Sequence, residues 1–244
     1  MLGLPEAITA CLFDMDGVIT QTAKVHDAAW KEMFDAFLRD WYAAHDQPFV
    51  PFDPVADYDQ YVDGKPRSEG TLSFLRSRGI ELPMGEESDP PGKQTIWGLS
   101  NQKNALVQKV IERDGVHVYE GSVRYVKAAR EAGLRTAIVS SSANTQAVLK
   151  AAGVESLFEV RVDHQVAEAA KLRGKPAPDT FLEAARLLGV EAPNASVYED
   201  ALAGVAAGRA GNFGLVVGVD RVGQADQLHA HGADVVVKDL ADLL

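Results

Sequence analysis

One cysteine, Cys11, stands in 244 residues. No disulfide can form within the chain, and the apolar run Ala10-Cys11-Leu12-Phe13 marks that thiol as buried and inert. Long apolar runs are also missing. The longest, such as Leu215-Val216-Val217, are far too short to span a bilayer, and no basic segment followed by an apolar stretch opens the chain. A cytoplasmic protein without a membrane partner is expected. Cations are in deficit, 24 Lys and Arg against 35 Asp and Glu, for a formal net charge of −11 with the acids spread along the chain. That field opposes a phosphate backbone, so nucleic acid is excluded as a partner. It repels small anions too, so a phosphate site here needs clustered local cations or a bound metal. Internal repeats and low-complexity tracts are absent. His45, His117, His164, His229 and His231 lack metal-ligand spacing and read as surface positions beside glycines and acids.

What is present is an alternation. Short apolar or β-branched runs recur at Ala10–Phe13, 136–139, 196–198, Leu215–Val219 and 234–237, and most are followed by a helical pattern. That is the signature of parallel βαβ units. Helical stretches at 143–152 and Asp179–Leu188 end on Gly153 and Gly189, the expected C-terminal stops. Between the first strand and the next lie about 100 residues that interrupt the alternation, with helical patterns near 22–38, 68–77 and 100–111. Their linking stretches 46–54 and 82–92, rich in Pro, Asp and Gly, read as loops. The expected fold is α/β: a Rossmann-like parallel sheet core with helices on both faces, residues 1–20 and 119–244, carrying an inserted α-helical domain, residues 21–118.

In an open parallel sheet, ligands sit outside the carboxyl ends of the strands. That rule selects Asp14 and Asp16, Ser140 to Ser142, and Glu199 with Asp200, all small polar or acidic. In Asp14-Met15-Asp16-Gly17 one carboxylate can attack while the other handles a proton, with a glycine to turn the chain. In isolation such a motif is as readily a turn or a helix cap. Glu199-Asp200 changes the balance: a hard cation needs several oxygen ligands, and four acids at one sheet edge without a metal would repel strongly. Ser140-Ser141-Ser142, ahead of a helix, offers hydroxyls and amides to a phosphate, although Ser142 is also a natural N-cap. Lys175, in the loop Gly174-Lys175-Pro176-Ala177-Pro178-Asp179 stiffened by two prolines, can hold one ammonium against phosphoryl oxygens.

The insert has anomalies of its own. Asp63-Gly64-Lys65-Pro66-Arg67 sets two cations at a helix N-terminus, where the macrodipole disfavours them and a bound anion would relieve the conflict. Lys103 lines up with Leu106, Val107 and Val110, so a charge begins an apolar face, either snorkelling to the surface or meeting a ligand. His26 shares a face with Thr22, Trp30, Met33, Phe34 and Phe37, where a core histidine is the ordinary reading.

Taken in order, Phe13-Asp14-Met15-Asp16-Gly17-Val18-Ile19-Thr20, Val139-Ser140-Ser141-Ser142, Gly174-Lys175-Pro176-Ala177-Pro178-Asp179 and Glu199-Asp200 resemble the haloacid dehalogenase superfamily. The segment 20–26 with Trp30, Asp63-Gly64-Lys65-Pro66-Arg67 and Lys103-Asn104 resembles its β-phosphoglucomutase-like subfamily more narrowly. The resemblance implies that Asp14 is phosphorylated, that Asp16 serves as acid and base, and that Ser140 and Lys175 bind the transferring phosphoryl group. It implies Mg2+ bridging Asp14, the Asp16 carbonyl, Glu199 and Asp200. Arg67 would hold the sugar's other phosphate, and His26 and Lys103 would respond to cap closure and contact the hexose or Asp16. Thr22, Trp30, Gly64, Ser141, Ser142 and Asn144 would complete the sugar-phosphate site. The implied reaction interconverts β-D-glucose 1-phosphate and glucose 6-phosphate in a monomer, with β-glucose 1,6-bisphosphate as activator and intermediate. Gln21 stands where relatives usually show Asp, Ala143 where the mutase often has Lys, and segments 42–61 and 81–95 enlarge the insert. A sugar-phosphate phosphatase would use the same core with water as acceptor. A non-catalytic sugar-phosphate sensor is a third reading, which retention of both Asp14 and Asp16 opposes because an idle buried acid cluster is destabilising.

Overall fold

Buried on both faces, the short apolar runs form a six-stranded sheet in a computed structural model that describes residues 2–244. The strands are β1 (Ala10–Phe13), β2 (Arg135–Val139), β3 (Val160–Val162), β4 (Ala195–Glu199), β5 (Leu215–Val219) and β6 (Val235–Val237). Their order is β3-β2-β1-β4-β5-β6 and every pairing is parallel. The α-helices are α1 (Ala23–Ala44), α2 (Arg67–Ser77), α3 (Ile96–Asp114), α4 (Glu120–Glu131), α5 (Thr145–Ala151), α6 (His164–Ala169), α7 (Asp179–Leu188), α8 (Leu202–Ala210) and α9 (Ala225–Ala230).

Alternation along β1 divides the core. Ala10 and Leu12 join Val139, Val197 and Val216 against Phe181, Ala184 and Leu188 of α7 and Val205 of α8. Phe13 faces the other way, stacked on Tyr198 at 4.4 Å and met edge-on by Tyr125 of α4 at 6.4 Å. Helices therefore cover both faces. Phe13 is in register with Ile138 of β2 and with Tyr198 of β4, so the chain leaves all three strands at one edge, beside the point where the strand order reverses.

Several elements differ from the sequence expectation: α6 and α9 have no counterpart in it, α1 runs on to Ala44 rather than ending near 38, and α3 starts at Ile96 rather than near 100. β3 is an edge strand of three residues, too short for alternation to show. α4 likewise has no counterpart in that expectation, although its buried Val123, Tyr125, Val126 and Ala129 recur at helical spacing with Arg124 and Lys127 on the exposed face. α5 starts at Thr145 rather than 143, with Asn144 in the N-cap position.

By internal contacts the chain divides into two units, Met1–Thr22 with Gly64–Pro66 and Val116–Leu244, and Ala23–Asp63 with Arg67–Gly115. The second unit has its own core. Trp30, Met33, Phe34, Phe37 and Leu38 recur at helical spacing on α1 and pack with Phe52, Phe74, Leu75, Ile96 and Leu99. Phe34 lies 5.2 Å from Phe52 and 4.2 Å from Phe74, ring centre to ring centre. Phe52 comes from the irregular segment after α1, and two side chains of α1 hold it in place. Asp35 accepts from the Phe52 N–H at 2.8 Å, while Lys31 donates to the Phe52 carbonyl at 2.9 Å and to Asp35 at 3.0 Å. The enlarged segment thus closes this core.

Asp35→Ala leaves the Phe52 amide without its partner in a buried place and should remove about 1–3 kcal/mol of stability. All three tryptophans, Trp30, Trp41 and Trp97, lie in the second unit, so urea unfolding followed by tryptophan fluorescence reads this unit. An unshifted midpoint would mean that Phe52 is held by packing alone.

Candidate active site

The carboxyl edge of the sheet gathers charge that the core could not accept elsewhere. The Asp14 N–H continues the ladder to the Tyr198 carbonyl at 2.9 Å, and its side chain meets Lys175, whose Nζ lies 2.5 Å from Asp14 Oδ1. The same ammonium lies 2.5 Å from Glu199 Oε1 and donates to the Val139 carbonyl at 3.3 Å. One ammonium thus ties together the ends of β1, β4 and β2, by hydrogen bonds to Asp14 and Val139 and an ion pair with Glu199. Burial alone would push the Lys175 pKa down, but the charges and hydrogen bonds of Asp14 and Glu199 outweigh it and hold the ammonium above its ordinary value. Burial pushes Asp14 well above the usual carboxylate range; Lys175 opposes this, and Glu199 and Asp16 add to it.

Two glycines leave room for these acids. Gly17 has a φ of 87°, and a Cβ there would stand 1.7 Å from an Asp200 carboxylate oxygen. A Cβ on Gly204 would stand 1.8 Å from Glu199 Oε1. Glu199 Oε2 accepts from the Ala201 N–H at 3.0 Å, so this carboxylate is held from both sides.

Asp14, Glu199 and Asp200 bring carboxylate oxygens within 4.8 Å of one another. Asp14 and Glu199 share one ammonium, Asp200 brings a third carboxylate beside them, and every donor is a hard oxygen. That is the set a divalent cation such as Mg2+ takes. The Asp16 carboxylate is not in this cluster. It accepts from the Thr22 hydroxyl, which lies 2.6 Å from that of Thr20, whose own hydroxyl donates to the Met15 carbonyl at 3.1 Å.

After β2, Ser140 is buried and its hydroxyl accepts from the Ser142 N–H at 3.1 Å; the Ser142 hydroxyl accepts from the Asn144 N–H at 3.1 Å. Asn144 rather than Ser142 thus holds the N-cap position of α5, which starts at Thr145. Ser141 donates to the Gly64 carbonyl at 2.8 Å. In the second unit, Lys103 does not snorkel. It is buried, its ammonium donates to His26 Nδ1 at 2.7 Å and it sits 4.7 Å from the centre of the Trp30 ring. Arg67 opens α2, its guanidinium 3.4 Å from Asn101 Oδ1, 3.8 Å from Glu87 and 5.3 Å from the Trp97 ring centre.

Sequence reasoning passed over two residues beside the acids. Arg221 donates to the Gly17 carbonyl at 2.8 Å, with its guanidinium 3.5 Å from the Tyr119 ring centre, and Gln224 donates to the Asp200 carbonyl at 3.0 Å. Both follow β5 at the same edge, so the strand-end rule that selected Asp14 would have reached them. Among the described residues no helix is long and apolar enough to cross a membrane.

Comparison with known proteins agrees with this geometry. Residues 8–212 match the family of haloacid dehalogenase-like hydrolases. The β-phosphoglucomutase of Mycobacterium bovis is 55% identical over 247 residues, spanning 100% of this chain and 94% of the relative, and that of Mycobacterium tuberculosis matches equally. Among solved structures, the β-phosphoglucomutase of Clostridium difficile superposes with a TM-score of 0.74 at 23% identity, covering 97% of this chain and 93% of that one. A hydrolase from Pseudomonas syringae gives 0.74 at 22%, covering 96% and 95%. At those identities the structures establish the fold.

Lys175→Met leaves Asp14 and Glu199 buried without their shared cation, at a cost of about 3–5 kcal/mol. Because the folded Asp14 pKa is raised, protonation relieves the variant in acid, and its stability is lost as pH rises through that raised value. Lys175 itself titrates above its ordinary value, so the parent's ammonium persists through this range. Urea midpoints in chelator between about pH 5 and 8 should therefore diverge from the parent as pH rises. A constant gap would argue against an unpaired acid cluster.

Proposed function

The chain belongs to the haloacid dehalogenase superfamily and, within it, to the β-phosphoglucomutase-like subfamily, and from that footing we propose that it interconverts β-D-glucose 1-phosphate and glucose 6-phosphate. The observation that carries the reading is the Asp14 carboxylate beside Lys175 at the sheet edge, with Asp16 two residues on, in a chain 55% identical along its length to β-phosphoglucomutases.

An Asp14 carboxylate oxygen attacks phosphorus, the bond from phosphorus to the sugar oxygen breaks, and an aspartyl-phosphate results. Asp16 gives its proton to the departing sugar oxygen and takes one from the hydroxyl that attacks in return. Transfer from the aspartyl-phosphate onto the 6-hydroxyl of β-glucose 1-phosphate makes β-glucose 1,6-bisphosphate, the activator, which turned end for end returns its 1-phosphoryl group to Asp14 and leaves as glucose 6-phosphate. Thr22 orients Asp16 through its hydroxyl. Lys175 and Ser140 hold the transferring phosphoryl oxygens, with Ser141, Ser142 and Asn144 supplying further donors from the same turn. Asp14, the Asp16 carbonyl, Glu199 and Asp200 would hold Mg2+, which when bound would supply neutralising charge to those oxygens.

On the second unit, Arg67, at the start of α2, takes the phosphate that is not transferred, because a planar guanidinium matches phosphate oxygens two at a time. Lys103, His26 and Trp30 offer the hexose a hydrogen-bonding pair and an apolar ring face. Gly64, whose φ is 69°, turns the chain ahead of Arg67. The enzyme is read as a cytoplasmic monomer. A phosphatase reading draws on the same Asp14 and Asp16 with water as acceptor, and the hydrolase name of the matching family favours keeping it in the test.

With Mg2+, β-glucose 1-phosphate and a trace of β-glucose 1,6-bisphosphate, phosphorus resonances should show glucose 6-phosphate; free phosphate alone would make the enzyme a phosphatase, and no change would make it a sensor. Asp14→Ala should lower turnover by roughly four orders of magnitude or more, and undiminished turnover would remove the nucleophile. Arg67→Ala should raise KM for β-glucose 1-phosphate about 30-fold and affect hydrolysis of an aryl phosphate far less. Equal losses on both would remove the second-phosphate role.

A further inference from the structure

The first turns of α3 grip Arg67 at several points. Trp97, Ser100 and Asn101 share one face of the helix at i, i+3 and i+4. The Trp97 ring centre stands 5.3 Å from the guanidinium, the Ser100 hydroxyl lies 3.3 Å from the Arg67 carbonyl, and Asn101 Oδ1 faces the guanidinium at 3.4 Å. Thr71, a turn further along α2, donates to the same carbonyl at 2.9 Å and lies 2.8 Å from the Ser100 hydroxyl. Backbone and side chain of Arg67 are both fixed.

The orientation of Asn101 is not free to vary. Its Nδ2 donates to the carbonyls of Glu87 and Asp89, each at 2.8 Å. An amide with both N–H groups on carbonyls can present only Oδ1 on its other side, and only a donor such as Arg67 can meet it. The two carbonyls belong to the enlarged segment 81–95, which is itself tied to α3. Pro83 and Met84 carbonyls accept from the Ile96 and Trp97 N–H groups at 3.0 and 3.1 Å, satisfying donors that a helix start leaves open. Buried Asp89 accepts from Lys93 at 2.5 Å and from the Thr95 hydroxyl at 2.7 Å, and that hydroxyl caps α3 by accepting from the Gly98 N–H at 2.9 Å. The half-exposed Glu87 carboxylate, 3.8 Å from the guanidinium, is a loose partner of the kind an arriving phosphate displaces.

We propose that Asn101, locked by the segment 81–95, is a positioning residue that presents the Arg67 guanidinium to the non-transferring phosphate, and that Trp97 completes this seat from the ring side. The proposal rests on the reading of Arg67 given above. It assigns the enlarged segment a part in substrate specificity through the residue it orients.

The test is a double-mutant cycle on sugar-phosphate interconversion with Mg2+. Asn101→Ala should raise KM for β-glucose 1-phosphate about ten-fold with kcat changed less than about two-fold, and should raise KM for an aryl phosphate far less. In the Arg67→Ala background the same substitution should add nothing, because its effect runs through the guanidinium. A full ten-fold rise in that background, with Arg67→Ala itself impaired, would overturn the positioning role and leave the Arg67 reading standing. Arg67→Ala with an unchanged KM would overturn that reading, and the seat with it. If Asn101→Ala unfolds, Trp97→Leu keeps both amide donations and should raise KM about three-fold in the parent only. An unchanged KM in that variant, or an equal rise in both backgrounds, would overturn the proposal.

Discussion

Lys175 spends one buried ammonium on three strand ends, and the rest of the site follows from that arrangement. A lysine can be kept charged in such a place only if carboxylates surround it, and the carboxylates can be kept there only if the lysine stays. Asp14 after β1 and Glu199 at the end of β4 are the two that share it, and the Val139 carbonyl at the end of β2 accepts from the same ammonium. The ion pairs sit where the parallel strands part, so the sheet supplies the geometry and the lysine closes it.

The closure is incomplete by design of the charges. Asp200 brings a third carboxylate beside the shared pair, and burial holds the Asp14 carboxyl above its ordinary range. On the proposed reading, a divalent cation would answer these acids and phosphoryl oxygens would take over donors that Lys175 now gives to them. Gly17 and Gly204 show how little slack there is, since a methyl group at either position would collide with a carboxylate. Arg221 and Gln224, from the loop after β5, hold the carbonyls of Gly17 and Asp200 and so fix the backbone on which two of the acids ride.

The inserted unit solves a different problem. Its aromatic core is closed by Phe52 from one irregular segment, pinned by Asp35 and Lys31, and the start of α3 is capped by a second irregular segment through Thr95 and the Pro83 and Met84 carbonyls. Both segments look like surplus loop in the sequence. In the fold each supplies hydrogen-bond partners that a neighbouring helix lacks, and the second also locks the amide that faces Arg67.

Much of the core site was legible in advance because strand ends are. A short apolar run followed by an acid or a serine, read with the rule that ligands sit beyond the carboxyl ends of parallel strands, selected Asp14, Ser140, Glu199 and Asp200. The sequence alone also determined the interrupted α/β alternation and, through its motifs, the family. The tertiary structure decided what depends on partners far apart in the chain. It turned the Asp16 carboxylate to Thr22, buried Lys103 against His26 where periodicity allowed snorkelling, and began α5 too late for Ser142 to cap it. It added a three-residue edge strand and the amphipathic α4. It also showed which atoms of Asn101 face Arg67, because an amide's orientation is set by carbonyls twelve and fourteen residues away and not by its neighbours in the chain. Local pattern specifies elements and the edge at which they end; the direction a polar side chain takes at that edge is settled by the donors and acceptors that folding brings to it.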